Sequence, residues 1–317
     1  EIRLSLVGSE MCIRDSIYVG ETICKEGLEE ALPLIKVSEP TVQMNFGTNT
    51  SPFAGKEGQF VTGRKIEERL FRETQRDVSL RINRVDNKEE WIVSGRGELH
   101  LSILIENLRR EGFEFQVSRP RVILKEIDGV INEPYEYVQV DVPDEYIGSA
   151  IEMFGNRRGN LEGMNSKDGQ TRLIYTIPSK GLIGFMTDFL TATHGYGIIN
   201  HTFLEYRPVQ PDVFMGRKLG VLVSINQGMA TTYACGGVED RGELLIEPGI
   251  MVYEGMIVGI CNREEDLAVN ITREKQMTNQ RSATKDSTIV LKKPRVFSLE
   301  NYLSFICLLY TSPSPRD

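Results

Sequence analysis

The residues best placed to do chemistry lie in one stretch, VSGRGELHLSILIENLRREGFEF, at positions 93–115. Gly95, Arg96 and Gly97 stand between a strand pattern and a helix pattern, and His100 follows near the start of that helix. Backbone amides at a helix N-terminus bind anions, so this loop could cradle a phosphate with His100 as an acid or base. The same glycines equally relieve a tight turn, with Arg96 left to contact RNA phosphate or a neighbouring domain. We favour the hinge over the cradle.

The three histidines, His100, His194 and His201, are isolated in the sequence from acidic or cysteine partners. We therefore expect them to serve packing, because they form neither a catalytic triad nor a metal-binding set. The five cysteines contain no CxxC pair, which indicates neither a zinc site nor a disulfide scaffold and fits a reducing, cytoplasmic setting. We predict no catalytic residue, no metal and no cofactor in this chain.

A nucleotide-binding loop of the Walker type requires the string G-x-x-x-x-G-K-[ST], and the sequence contains none. The string Asn87-Lys88-Glu89-Glu90 misses by one residue the Asn-Lys-x-Asp motif that reads guanine. It falls in a predicted hairpin, so we attribute it to chance. This chain alone should not hydrolyse GTP.

The overall charge limits how the chain could bind RNA. Lys and Arg total 37 against 45 Asp and Glu, for a net charge of −8. This balance argues against a protein whose whole surface binds nucleic acid, so any RNA contact must be local. We find no apolar run of the roughly 18 residues that would span a bilayer, and we predict no membrane contact.

Three groups of cations remain as candidate RNA contacts. Arg157 and Arg158 follow one predicted helix and Lys180 precedes another, so we place them in loops. The hydrophobic pattern thins over residues 267–285, which we interpret as a polar loop holding four cations against a single Glu. Cations interleaved with Asn, Gln, Ser and Thr are suited to bind the phosphate backbone of RNA without recognising the base sequence.

The elements that position these residues repeat. Over residues 39–120 the order of signals is strand, helix, strand, strand, helix, strand, and residues 134–206 follow the same order. In the second copy the last helix is marked by one apolar stripe from Leu182 to Leu190, with Gly195 as its stop. Two copies predict tandem ferredoxin-like, or split βαβ, domains.

After Pro208 the pattern changes to short strands separated by glycine-containing turns, as in LGVLVSI, MATTYAC, ELLIEP and YEGMIVGIC. This spacing predicts a mostly β C-terminal domain, a small antiparallel barrel or sandwich. The string TIVLKKPRVFSLENYLSFI adds one more strand and the start of a helix. The fold class is therefore α+β. Residues 1–16 and 307–317 resemble translated sequencing adapters, and we exclude them from the fold.

Five strings in this order resemble the C-terminal part of the TypA/BipA family of translational GTPases, relatives of elongation factor G. They are EPTVQMNFGTNTSPFAGKEG, VSGRGELHLSILIENLRREGFEFQVSRP, EPYEYVQVDVP, IPSKGLIGF and DRGELLIEPGIMVYEGMIVG. The resemblance runs from about Ile17 to Ile306. Elongation factor G has a further domain where this chain has only 13 residues between Pro120 and Pro134. The LepA family also lacks that domain, but the DRGELLIEP block and the last loop favour TypA/BipA.

The resemblance implies a domain order. Residues 17–38 would end the β-barrel domain II, and residues 39–120 would form the ferredoxin-like domain III. Residues 121–208 would form the ferredoxin-like domain V, and residues 209–306 the C-terminal domain particular to this family. The GTP-binding domain would be absent from this chain, and GTP and Mg would bind there in the parent protein, which is a GTPase.

The resemblance also implies function. The family docks on the ribosome and is associated with large-subunit assembly and with growth under stress or cold, so we expect a cytoplasmic monomer that contacts large-subunit rRNA and tRNA. The family's C-terminal loop that reaches RNA corresponds to residues 263–285. The predicted RNA-binding residues are Arg273, Lys275, Asn279, Arg281, Lys285, Arg263, Lys180, Arg157, Arg158 and Arg96. The alternative is a regulatory protein that binds a metabolite between tandem ferredoxin-like domains.

Overall fold

The computed structural model describes residues 39–210, 219–275 and 290–308. The chain divides into two compact units, the first ending at Pro211 and the second beginning at Asp212. The segments predicted as an adapter tail, 1–16, and as the end of a β-barrel, 17–38, lie outside the described residues. Among the helices described, none is both long enough and apolar enough to cross a membrane.

The first unit begins with a complete ferredoxin-like domain. Its elements are β1 (Val42–Thr48), α1 (Gly63–Thr74), β2 (Arg81–Arg84), β3 (Glu90–Gly95), α2 (Glu98–Arg110) and β4 (Phe115–Val117). The strands lie in the order β2-β3-β1-β4, and every neighbouring pair is antiparallel. Alternate residues of β1, among them Met44 and Phe46, are buried, as are Leu70 of α1 and Leu108 of α2. The predicted split βαβ order is confirmed.

Two short strands, β5 (Arg121–Val122) and β6 (Lys125–Ile127), lead into the second ferredoxin-like domain. Its elements are β7 (Val130–Pro143), a 3-10 turn (Asp144–Tyr146), α3 (Ile147–Asn156), β8 (Asn160–Lys167), β9 (Gln170–Pro178), α4 (Ser179–Leu182), α5 (Phe185–Ala192) and β10 (Ile198–Pro208). The strand order β10-β7-β9-β8 reproduces that of the first domain. Stacked and tilted rings of Phe154, Tyr175 and Phe185 fill the centre of its core.

The helix predicted as continuous from Leu182 to Leu190 is broken in two. Gly184 adopts the left-handed conformation, with φ of 67°, between the end of α4 and the start of α5. Only glycine enters that region without steric cost, and the apolar spacing does not register the break because both halves bury residues on the same side. The break leaves backbone groups that other residues must satisfy.

The second unit is rich in β structure, as predicted. Its elements are β11 (Val221–Ser224), β12 (Gly228–Met229), α6 (Thr232–Val238), β13 (Gly242–Leu244), β14 (Met251–Val252), β15 (Ile257–Cys261), β16 (Leu267–Val269) and α7 (Leu299–Leu308). One sheet has the order β13-β15-β11-β16, and β12 pairs with β14. β11 and β16 run parallel, so the main sheet is mixed and the purely antiparallel barrel or sandwich is a wrong prediction.

Three local predictions in this unit are also wrong. The predicted strand MATTYAC forms instead the two-residue strand β12 and then α6, because the Thr231 hydroxyl caps that helix by accepting from the Ala234 amide. The predicted polar loop begins with β16, whose Val269 is buried. No strand forms among the described residues 290–298, where the Lys292 amide donates to Oε1 of Glu239 and the Arg295 amide donates to the Leu244 carbonyl; Thr288 and Ile289, which begin the predicted string, lie outside the described residues.

Candidate nucleic-acid interface

The Gly95-Arg96-Gly97 loop is fixed through its backbone. The Arg96 carbonyl accepts a hydrogen bond from the Thr41 hydroxyl at 2.7 Å, and the Arg96 amide donates to Nδ1 of His100 at 3.3 Å. The Arg96 side chain is exposed. The loop therefore holds its own backbone in place while its cation faces solvent.

His100 has an acidic partner, so the expectation that it is isolated is wrong. Its Nε2 lies 2.7 Å from Oδ2 of Asp77, in the turn between α1 and β2. The other oxygen of Asp77 accepts from the amide and hydroxyl of Ser79 at 2.8 and 2.5 Å. Burial raises the pKa of Asp77, but the bonds from Ser79 and the facing His100 outweigh burial, and the pKa lies below its ordinary value. With Nδ1 accepting, the His100 proton sits on Nε2.

The geometry favours the hinge reading of this loop over a phosphate cradle. A Cβ added to Gly95 would lie 2.9 Å from Nδ1 of His100 and 3.0 Å from Cδ2 of Leu101, so glycine is needed for the helix to approach the strand. A Cβ on Gly97 would meet only the His201 ring at 3.8 Å. Among the described residues there is no group of His, Cys, Asp and Glu that could hold a metal ion.

In the second domain, the guanidinium of Arg157 binds groups of the protein itself. Nη1 donates to the carbonyls of Gly181 and Ile183 at 3.3 and 3.0 Å, and Nη2 lies 3.6 Å from Asp188. The guanidinium also stacks over the Phe185 ring at 5.6 Å. These partners surround the break between α4 and α5, so Arg157 satisfies carbonyls that the interrupted helix leaves without amide partners. RNA contact by Arg157 stays a prediction, and its geometry assigns it a structural role.

The first domain supplies a further bond to the same break. Oε2 of Glu98, the first residue of α2, accepts from the Gly184 amide at 2.6 Å. The two ferredoxin-like domains are thus joined where α4 ends. Sequence reasoning missed Glu98 because nothing in the pattern shows that the second helix is broken.

Arg158 and Lys180 lie near this region. Arg158 takes a left-handed conformation, with φ of 63°, and lines a cavity of about 570 Å³ together with Tyr135 and Arg207. The Arg207 guanidinium stacks over Tyr135 at 4.9 Å and pairs with Glu205. Lys180 is half-buried within the helical turn α4, so the prediction that it lies in a loop is wrong.

The cations of the second unit are exposed where they are described. Arg263 lies in the turn after β15, and its carbonyl accepts from the Gly220 amide at 2.6 Å. Arg273 and Lys275 are exposed, and the Arg273 carbonyl accepts from the Thr231 hydroxyl at 2.5 Å. The predicted residues Asn279, Arg281 and Lys285 lie outside the described residues.

The other two histidines also have neighbours. Nδ1 of His201 on β10 hydrogen bonds with Glu136 on β7, whose carboxylate is buried. That bond raises the pKa of His201 above its ordinary value, although burial opposes the shift. His194 is exposed, and its ring packs against the edge of Tyr146 with centroids 5.7 Å apart. His201 is therefore paired with an acid, contrary to our prediction.

Family models match along most of the described chain. Elongation Factor G, domain III, matches residues 61–119, and the elongation factor G C-terminus matches residues 130–216. The TypA/BipA C-terminal domain matches residues 219–308. The chain belongs to the TypA/BipA family. It corresponds to the C-terminal part of TypA/BipA proteins.

Among its TypA/BipA relatives is the large ribosomal subunit assembly factor BipA of Bacillus subtilis, which is 56% identical over 293 residues. The protein of the same name from Synechocystis is 50% identical over 289 residues, and that from Escherichia coli K12 is 48% identical over 291. These alignments cover 92%, 91% and 92% of this chain. The chain spans about half the length of the relatives, 48% of each. The metabolite-sensor alternative is not favoured.

Proposed function

We propose that this chain is the ribosome-docking part of a TypA/BipA translational GTPase that acts in assembly of the large ribosomal subunit. The observation that carries the proposal is the exposed segment from Arg273 to Lys275. The Thr231 hydroxyl donates a hydrogen bond to the Arg273 carbonyl and so fixes the backbone of this segment. The segment lies within the region matched by the TypA/BipA C-terminal domain. The partner in this proposal, the large ribosomal subunit, is taken from the name of the relatives, large ribosomal subunit assembly factor BipA. The mechanism is docking of rigid α+β domains, with a few cations neutralising rRNA or tRNA phosphates.

GTP and Mg²⁺ belong, in this proposal, to a domain outside the present sequence. The sequence has no G-x-x-x-x-G-K-[ST] string, and the described residues contain no metal-binding group of acids, cysteines and histidines. These residues do not fit either ligand, so we derive no catalytic step here. GTP turnover by the purified chain would contradict this assignment.

Three further parts of the proposal await tests. The domain boundaries are residues 39–120, 121–208 and 209–306, and the protein is a cytoplasmic monomer. The segments 1–16 and 307–317 are adapter-derived tails in this proposal, although α7 and the match to the TypA/BipA C-terminal domain both extend to residue 308. Recovery of the upstream reading frame would test the segment 1–16 and the missing GTP-binding domain, and recovery of the downstream frame would test the segment 307–317.

Co-sedimentation with large ribosomal subunits across a salt series tests the docking proposal. We expect binding that weakens steeply as salt rises, because neutralising phosphates releases counterions. Replacement of Arg273, Lys275, Arg281 and Lys285 by Ala should weaken binding and flatten the salt dependence. Replacement of the exposed Arg273 and Lys275 alone should change thermal stability little, since surface substitutions usually shift it by under about 0.5 kcal/mol.

A matched control replaces four exposed cations elsewhere with Ala, at Arg72, Arg76, Lys88 and Lys167. This variant has the same net charge as the first but keeps the C-terminal cations. It should bind close to wild type. Equal binding by wild type and the C-terminal variant would refute the assignment of these cations, and a wild-type chain that stays in the supernatant at low salt would refute docking itself.

A further inference from the structure

Arg96 combines a fixed backbone with an uncommitted side chain. Its amide and carbonyl are both hydrogen bonded, to His100 and Thr41 respectively. Within the described part of the chain, its guanidinium makes no hydrogen bond or ion pair and is exposed. Arg157 shows the reverse arrangement, because its guanidinium is bound to two carbonyls and an acid. Arg96 is therefore the better suited of the two to meet an external anion.

The bond to the Arg96 amide is itself supported from a different element. His100 reaches Asp77 with Nε2, and Asp77 is fixed by two hydrogen bonds from Ser79. Because Asp77 accepts a hydrogen bond from the Nε2–H group, Nδ1 presents its lone pair to the Arg96 amide. Gly95 leaves the space that this ring position needs. Three elements, the α1–β2 turn, the β3–α2 loop and α2, thus converge on one amide.

We propose that His100 is a positioning residue that holds Arg96 for contact with an RNA phosphate, and that Asp77 sets the His100 tautomer for this task. This inference rests on the proposed ribosome docking and adds a defined contact to it. A guanidinium binds phosphate through two parallel N–H donors, so the backbone from which the arginine side chain extends must have a defined orientation. Ordering the backbone before binding reduces the entropy that is lost on association.

The first measurement is hydrogen exchange at the Arg96 amide, which requires no ribosome. In His100→Ala the amide loses its acceptor and should exchange faster than in wild type. In His100→Asn an amide oxygen can replace Nδ1, so most of the protection should return. His194→Ala is the matched control, because that exposed histidine lies outside the loop, and it should leave the Arg96 amide unchanged. Unchanged exchange in His100→Ala would overturn the inference.

The second measurement is affinity for large ribosomal subunits in a double-mutant cycle. Arg96→Ala should weaken binding by about five-fold through the loss of one phosphate contact, a change that corresponds to roughly 1 kcal/mol. His100→Ala should lose part of that affinity, and the double variant should bind like Arg96→Ala alone. Melting curves establish whether each variant is folded. If His100→Ala does not fold, His100→Asn replaces it in the cycle.

The outcomes separate the two proposals. Additive losses, or full affinity in His100→Ala and His100→Asn alike, would overturn the positioning role while ribosome docking stands. Absence of binding by the wild-type chain would overturn docking and this inference together. Loss of Arg96 amide protection with a non-additive loss of affinity supports the inference.

Discussion

The two ferredoxin-like domains share one strand order, yet each uses its glycine-flanked basic loop in the opposite way. In the first domain, side chains of neighbouring elements hold the backbone of Arg96, and its guanidinium faces solvent. In the second, the guanidinium of Arg157 holds the backbone of a broken helix. Arg96 lies between β3 and α2, whereas Arg157 lies between α3 and β8, so similar composition of two basic loops does not indicate similar position or similar use. The deciding factor is whether nearby backbone groups lack partners.

The largest effect should separate the two arginines by stability. Arg157→Ala leaves the carbonyls of Gly181 and Ile183 without their donor, and we expect a loss of about 2 kcal/mol in the free energy of unfolding. Arg96→Ala should stay within about 0.5 kcal/mol, since its side chain is exposed. Urea denaturation followed by circular dichroism measures both. Equal stabilities of the two variants would remove the contrast between the loops.

A smaller effect should separate the two glycines that flank Arg96. Gly95→Ala places a methyl group within 3.0 Å of His100 and Leu101, and such overpacking typically costs 1–3 kcal/mol, so we expect about 1.5 kcal/mol. In Gly97→Ala the methyl group meets only His201, at 3.8 Å, in an ordinary contact. Thermal melts of the two variants compare them directly. If Gly97→Ala were the more destabilised, the hinge would be placed wrongly.

The smallest effect should appear in the pH dependence, with opposite signs for the two domains. The pKa of Asp77 is lowered on folding, so its contribution is present above its ordinary pKa and is lost as the pH falls. The pKa of His201 is raised, so its contribution is present below its ordinary pKa and is lost as the pH rises through the folded value.

Asp77→Asn should therefore lessen the loss of stability in acid, and His201→Asn should lessen the loss in mild alkali. Urea denaturation at several pH values measures these differences against wild type. An NMR titration of His201 gives the direction of its shift independently. A His201 that titrates below its ordinary value would contradict the pairing with Glu136.

The domain pattern could be predicted from the sequence because its signals are local. Leu101, Leu104, Ile105 and Leu108 mark the buried face of α2 by spacing alone, and all four are buried. The mistakes arose where local signals conflict. TTYAC alternates weakly like a strand, yet Thr231 can cap a helix, and the cap prevails. The apolar stripe over Leu182 to Leu190 is compatible with one helix or with two.

The sequence by itself determined the family and the tandem ferredoxin-like order, and it supplied the prediction of which cations contact RNA. Only the tertiary structure decided which cations are committed internally and which histidines have acids beside them. Asp77 precedes His100 by 23 residues, and Glu136 precedes His201 by 65. Periodicity reports which face of an element is buried, whereas a hydrogen bond between distant residues depends on how the elements pack, and no local pattern encodes that distance.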